Sequence, residues 1–488
     1  MAEKKSIYLI GICGTAMASL AGLLRAKGYE VRGSDTAAYP PMSTQLAQMG
    51  IRVAQPYDAK NLDQTPDLVV VGNAISRGNV ELERVLNERI PFTSMADVLH
   101  REFLAKKSTL TVAGTHGKTT TTSMLSWIFE TSGRKPSFLI GGVAENFRTN
   151  DGGGSYAWHD DSREFIIEGD EYDTAFFDKG PKFLHYFPDA VILTSVEFDH
   201  ADIYRDLDAV KTAFKRLVNL VPQRGRIVAY DASDNVSECV AKAFCVVERY
   251  GFTDTAHWRI RDVRYEPTKT TWSVERAGMP WARFEMALAG EYNVLNATAA
   301  AAMAAGQGIS IEAIQGALAT FKSVKRRLEV RGVVNGVTII DDFAHHPTAI
   351  AETLKALRTR YNGSRLWAVL EPRSNTLRRN VFENELVSAL SIADQIVIAG
   401  VFKSEAIPEL ERLSPETVAL RVRERGKPAL QLADADAIVA EIAGQLREGD
   451  VVAILSNGGF GGIYEKLPKA MQASHEVTKS RGHESSAD

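Results

Sequence analysis

Through most of the chain, short apolar runs alternate with longer stretches whose apolar positions recur every three or four residues. The first spacing suits a strand buried on both faces and the second an amphipathic helix, so the succession predicts parallel sheets built from βαβ units. Residues 7–10 are the first such strand. A glycine turn, a helix over 17–25, a strand near 30–32 and a strand over 68–71 follow, which predicts one nucleotide-binding-like unit closing near residue 105. The strand at 110–113 opens a second unit through another glycine loop and a helix over 119–129. Between 258 and 286 polar and apolar residues alternate, with turn signals at Glu266-Pro267 and Ala277-Gly278, the pattern of antiparallel strands inserted in this unit. Helices over 293–305 and 311–321 complete it. Strands over 337–340, 366–370, 395–398 and 451–455, separated by helical patterns, predict a third unit, and the polar, aperiodic residues 473–488 read as a mobile tail. The expected class is α/β in three domains, 1–105, 106–328 and 329–472, before that tail.

A length of 488 residues agrees with three units of roughly 150 residues each. The 57 basic and 61 acidic residues nearly cancel, which argues against a nucleic-acid or membrane partner and for small molecules. Three cysteines, Cys13, Cys239 and Cys245, fit neither a disulfide framework nor a paired-thiol metal site, and imply a reducing compartment. With no leader-like segment before residue 7 and no run of about 18 apolar residues, neither a secretion signal nor a membrane span is expected, and the location read from the sequence is cytoplasmic.

The strongest chemical signal is Gly114-Thr115-His116-Gly117-Lys118-Thr119, set between an apolar strand and a threonine-rich helix. Glycines let backbone N–H groups approach phosphates, the helix N-terminus adds partial positive charge, Lys118 neutralises phosphate oxygens and the Thr119 hydroxyl can hold magnesium. Val112 stands where the general phosphate-loop pattern has its first glycine, so the loop is a shortened form. Glu168 follows the apolar residues 165–167, and His200 follows the strand at 191–195. A lone acid or histidine at a strand end is commonly a solvated or structural group. Beside a phosphate loop, the two become candidate metal ligands for phosphoryl transfer. The first glycine turn, Gly11-Ile12-Cys13-Gly14-Thr15, has Cys13 and Ala16 where a dinucleotide fingerprint has glycines, so NAD is weakly supported. Asp35, after the second strand, can contact a nucleotide's ribose or base, or serve as a turn aspartate.

Taken in order, Gly11-Ile12-Cys13-Gly14-Thr15-Ala16-Met17, Gly33-Ser34-Asp35, Gly114 to Thr121, Glu168-Gly169-Asp170-Glu171, Asp199-His200, Asn293-Val294-Leu295-Asn296 and Asp341-Asp342-Phe343-Ala344-His345-His346-Pro347 resemble the motifs of the Mur ligases. The resemblance runs from about residue 7 to about residue 465. It implies a Rossmann-like N-terminal domain for a UDP-sugar, a central ATPase, and a Rossmann-like C-terminal domain for the incoming amine. It also implies amide-bond formation through an acyl phosphate, with ATP and Mg2+ as cofactors. Carried over, ATP falls to Gly114, Thr115, His116, Gly117, Lys118, Thr119, Thr120, Asn293, Asn296, Arg327 and Asp342, and the metal to Thr119, Glu168 and His200. The UDP-sugar falls to Gly11, Gly14, Thr15, Ala16, Met17, Ser34, Asp35, Asn73 and Ser76. The acceptor falls to His346, Arg373, Ser374 and Asn375, and catalysis to Lys118, Glu168, His200, Asp342 and His346. Many family members carry a carbamylated lysine where Phe214 stands here. That absence, with the paired histidines, leaves two branches, each using UDP-N-acetylmuramate. One adds L-alanine and the other a whole tripeptide, L-alanyl-γ-D-glutamyl-meso-diaminopimelate. The long stretch between Glu168 and His200, containing Phe176-Phe177-Asp178-Lys179, and the segments Glu197-Phe198-Asp199-His200 and Glu371 to Thr376 favour the tripeptide.

Overall fold

The computed structural model of the chain describes residues 5–36, 38, 42–148 and 153–484, apart from the side chains of 474–484. Three sheets organise it. The first is parallel throughout, with strands β1 (Ser6–Ile10), β2 (Glu30–Ser34), β3 (Arg52–Ala54), β4 (Leu68–Val71) and β5 (Phe92–Ser94) in the order β3-β2-β1-β4-β5. The order reverses between β1 and β4, so the loops leaving these two strands part and open a crevice at their carboxyl ends.

The second sheet has ten strands. β6 (Ser108–Ala113) lies at its centre, paired in parallel with β9 (Glu164–Gly169) on one side and β12 (Ala190–Leu193) on the other. Its register sets Ala113 opposite both Gly169 and Leu193, so the loops after all three strands emerge at one level. β7 (Ser137–Leu139) and β8 (Tyr156–Ala157) extend the β9 side. On the other side β13 (Arg226–Tyr230) and β14 (Val246–Gly251) lead to the predicted antiparallel strands, β15 (Trp258–Tyr265), β16 (Thr270–Arg276) and β17 (Met279–Met286). These strands continue the sheet: β15 pairs with the exposed edge of β14 and supplies the backbone partners that an open edge lacks. A separate hairpin of β10 (Asp173–Ala175) and β11 (Asp178–Pro181) turns at Phe176 and Phe177, whose rings pack against Phe92 of the first sheet.

The helix Lys118–Thr131 buries a run of hydroxyl residues, which is affordable because Thr122, Ser123 and Ser126 each return a hydrogen bond to the carbonyl four residues earlier. In the third sheet, β18 (Glu329–Val334) pairs antiparallel with β19 (Val337–Asp342). Parallel strands β23 (Val451–Leu455), β20 (Leu366–Leu370), β21 (Gln395–Ala399) and β22 (Ala429–Leu432) follow in the order β18-β19-β23-β20-β21-β22. The last helix, Ile463–Glu484, runs on through 473–484, the stretch read as a tail. Propagating a nucleated helix needs no apolar periodicity, and the Ala, Glu, Lys and Arg among these residues are favourable formers. Residues 485–488 lie outside the described residues. No described helix is long and apolar enough to cross a membrane.

Candidate active site

Gly114 and Gly117 give the second glycine loop its shape. Both have positive φ, +136° and +80°. A side chain at Gly114 would strike Thr194, and one at Gly117 would come within 2.5 Å of the Asn296 amide oxygen. The loop is tied to the segment after β12. Thr115 N donates to the Ser195 carbonyl (3.0 Å), His116 N to Ser195 Oγ (2.9 Å) and Glu197 N to Thr115 Oγ1 (2.8 Å).

Lys118 opens the following helix, and its ammonium curls back over the loop to the carbonyls of Gly114 (2.7 Å) and Thr115 (3.2 Å). Its third partner is Glu171 Oε1 at 2.8 Å, which also lies 3.2 Å from His200 Nε2. Burial alone would lower the lysine's affinity for its proton, but Glu171 and Glu168 outweigh it and hold the ammonium above its ordinary value. Burial likewise works against an ionised Glu171. Lys118 and His200 overcome it and keep that carboxylate below the usual range. The His200 ring is raised, since its bond to Glu171 outweighs burial. Glu168 differs: burial dominates and raises it, although Lys118, the Gly141 N–H (2.7 Å) and the Thr119 hydroxyl (2.9 Å) oppose the shift.

The donor set fits a hard divalent cation. Thr119 Oγ1 and Glu168 Oε1 are already adjacent, and the second Glu171 oxygen is buried without a partner among the described residues. Of the expected metal set, Thr119 and Glu168 are therefore together, while His200 is held by Glu171, a residue the sequence reading quoted within a motif without giving it a role. Phe214 is fully buried against Phe183 (5.3 Å between ring centres), in the core.

Thr120 is buried in the first turn of the same helix, Asn296 stands beside Gly117 with its Nδ2 unpartnered among the described residues, and Asn293 donates to the Ala289 carbonyl (2.8 Å). Arg327 makes no ion pair among the described residues, and its charge acts on both Glu168 and Asp342. Asp342 is buried, and its oxygens accept from Leu328 N (2.7 Å), Ala344 N (2.9 Å) and Thr353 Oγ1 (3.2 Å), so the carboxylate braces the start of the third domain.

His346 begins the helix Pro347–Arg360 as its N-cap, with proline in the first turn. Its Nε2 lies 3.2 Å from the Phe198 carbonyl, and its ring is 4.8 Å from that of His116. Burial, then the charge of His116, lowers His346 to about 4. Glu197 reaches both histidines, 3.3 Å to His116 Nε2 and 3.9 Å to His346 Nδ1, and accepts from Thr348 Oγ1 (2.7 Å). Despite its burial, His116 and Thr348 hold its carboxyl down at about 2.

Arg373 lies 3.8 Å over the Phe402 ring and 3.4 Å from Glu371, packed against Gly458. Asn375 donates to Asp202 (2.8 Å), bridging the second and third domains. Ser374 is turned inward: its hydroxyl donates to the His345 carbonyl (3.2 Å) and accepts from Leu377 N (3.0 Å).

In the first domain, Gly11, Gly14, Thr15 and Ala16 form one lip of the β1/β4 crevice, and the exposed Asn73 and Ser76 the other. Asp35 accepts from Cys13 N at 2.8 Å and so shapes the turn. Two expected members fall elsewhere. Ser34 is fully buried and donates to Glu81, and Met17 packs in the core, because the strand end and the inner helix face must bury what they carry.

Three family descriptions match in succession: "Mur ligase family, catalytic domain" over 6–107, "Mur ligase middle domain" over 112–304 and "Mur ligase, glutamate ligase domain" over 326–458. A UDP-N-acetylmuramate–L-alanyl-γ-D-glutamyl-meso-2,6-diaminoheptandioate ligase of Escherichia coli is 42% identical over 466 residues, covering 94% of this chain and 97% of that one. A UDP-N-acetylmuramate–L-alanine ligase of Lachnoclostridium phytofermentans is 30% identical, covering 94% and 97%. The crystal structure of a murein peptide ligase from Psychrobacter arcticus superposes with a TM-score of 0.73 at 36% identity, covering 96% of this chain and 98% of that one.

Proposed function

The chain belongs to the Mur ligase family, and from that premise we propose that it joins UDP-N-acetylmuramate to L-alanyl-γ-D-glutamyl-meso-diaminopimelate. It is an ATP-dependent ligase that forms an amide bond. The observation that carries the acceptor choice is similarity along nearly the whole of both chains, 42% to a tripeptide ligase against 30% to an alanine ligase.

In this reading the muramoyl carboxylate attacks the γ-phosphorus of ATP, an acyl phosphate forms and ADP leaves. The acceptor amine then forms the C–N bond and expels phosphate. Such chemistry needs positioning and charge more than a protein nucleophile. Lys118, kept protonated by Glu171, meets the developing phosphate charge. Thr119 and Glu168, with the free oxygen of Glu171, would hold Mg2+, which supplies further charge neutralisation when bound. Asn296 and Arg327 flank the nucleotide, and the β1/β4 crevice receives the UDP. His346, buried at the cap of the helix that opens the acceptor domain, is a poor base, so the proton lost by the amine passes to solvent. Arg373 offers its guanidinium to an acceptor carboxylate. A cytoplasmic location belongs to the same proposal, supported by three free thiols.

The experiment supplies ATP, Mg2+ and UDP-N-acetylmuramate with either L-alanine or the tripeptide, and follows phosphate release and product mass. Tripeptide-dependent turnover supports the reading. Turnover with L-alanine alone overturns the acceptor assignment.

A further inference from the structure

We propose that His116, Glu197 and His346 form a binding site for a borderline divalent cation of the Zn2+ class, spanning the phosphate loop and the third domain. The three come from separate segments: the loop after β6, the segment after β12 and the cap of the helix Pro347–Arg360. Their ligand atoms nevertheless lie within 4.8 Å of one another.

The hydrogen bonding fixes which atoms are available. A carbonyl can only accept, so the 3.2 Å contact between His346 Nε2 and the Phe198 oxygen puts the imidazole proton on Nε2. The Nδ1 lone pair then accepts the Thr348 N–H over a long 3.3 Å at the helix cap, with Glu197 Oε2 3.9 Å away. Two acceptors oppose each other, and among the described residues only the Thr348 N–H donates to that nitrogen. A cation between them turns this repulsion into attraction. His116 Nε2, 3.3 Å from the same carboxylate oxygen, completes the set once its proton sits on Nδ1.

Two imidazoles and one carboxylate suit Zn2+ and its neighbours, whereas Mg2+ demands oxygen ligands. With bonds of about 2.0–2.1 Å, tetrahedral ligands stand roughly 3.4 Å apart. The closer pair already meets this, and the widest separation, up to 4.8 Å, needs an adjustment of about 1.4 Å. The supporting contacts are also those of a metal site: the other ring nitrogen of His346 donates to a backbone carbonyl, and Thr348 Oγ1 donates to Glu197 at 2.7 Å. A bound ion would leave one position open and tie the phosphate loop to the third domain.

The test uses the full chain after chelator treatment, titrated with Zn2+ alone by calorimetry, with no nucleotide or acceptor. Its outcome is therefore independent of the ligase reading. One Zn2+ per chain is expected, undisturbed by excess Mg2+, with nitrogen and oxygen neighbours in X-ray absorption. His346→Ala and Glu197→Gln should each weaken binding by at least about tenfold. If His346→Ala does not fold, Glu197→Gln, which keeps the side-chain shape, decides alone. Absence of stoichiometric binding in the wild type, or unchanged affinity in the folded variants, overturns the site.

Discussion

Replacing Glu171 by Gln removes one negative charge from the centre of the site while keeping an oxygen to accept from Lys118. Glu171 is almost wholly buried, and the partner side chain is only 15% exposed, so water screens the pair little. At an effective dielectric of about 20, charges roughly 3 Å apart attract by about 5 kcal/mol. Part of that is returned because a neutral amide costs less to bury, and Lys118 keeps its two carbonyl partners. A net loss of about 2–3 kcal/mol remains, or roughly 5–10 °C in the unfolding temperature of a unit this size. Differential scanning calorimetry without nucleotide should show it, and ATP, whose phosphates replace the missing charge, should stabilise the variant more than the wild type. The pH dependence is also set. The Glu171 share is present above the unfolded carboxyl value of about 4.3 and lost as pH falls through its depressed folded value. The Lys118 share is present below about 10.4 and lost as pH rises through its raised one. The gap between wild type and variant is thus broad across neutrality and shrinks in acid. A smaller share from His200, present below about pH 6.5, fades as pH rises through its raised folded value. Coincident transitions without ATP, or a gap that widens in acid, would refute the reasoning.

Lys118→Ala should fold and still lose at least about a hundredfold in kcat for ATP-dependent product formation, since the phosphates lose their nearest cation; normal turnover would move the chemistry elsewhere. Glu168→Gln should raise the Mg2+ concentration needed for half-maximal rate, read from a magnesium titration at fixed ATP. Arg373→Ala should raise the tripeptide KM by about ten- to a hundredfold, the worth of a charged hydrogen bond. KM for ATP and UDP-N-acetylmuramate should stay nearly unchanged, and equal weakening of all three substrates would indicate a folding or closure defect instead.

Local signals carried the sequence reading as far as local physics reaches. The glycines at 114 and 117, a strand ending just before them and Lys118 just after, and apolar runs of strand length announce the phosphate loop and the α/β elements because each depends on neighbouring residues. The motif resemblance added the order of the domains and pointed to Asn296 and Arg373. Convergence was beyond both. Glu171 meets Lys118 across 53 residues of sequence, Glu197 meets His116 across 81, and Phe198 meets His346 across 148. Those meetings follow from the parallel register of β6 with β9 and β12 and from the seating of the third domain. Polar residues inside motifs were equally ambiguous. Ser34, Asp342 and Ser374 carry the right chemistry for ligands, yet packing turns each toward a buried partner, because a buried polar group must find its hydrogen bond and the backbone decides which way it looks.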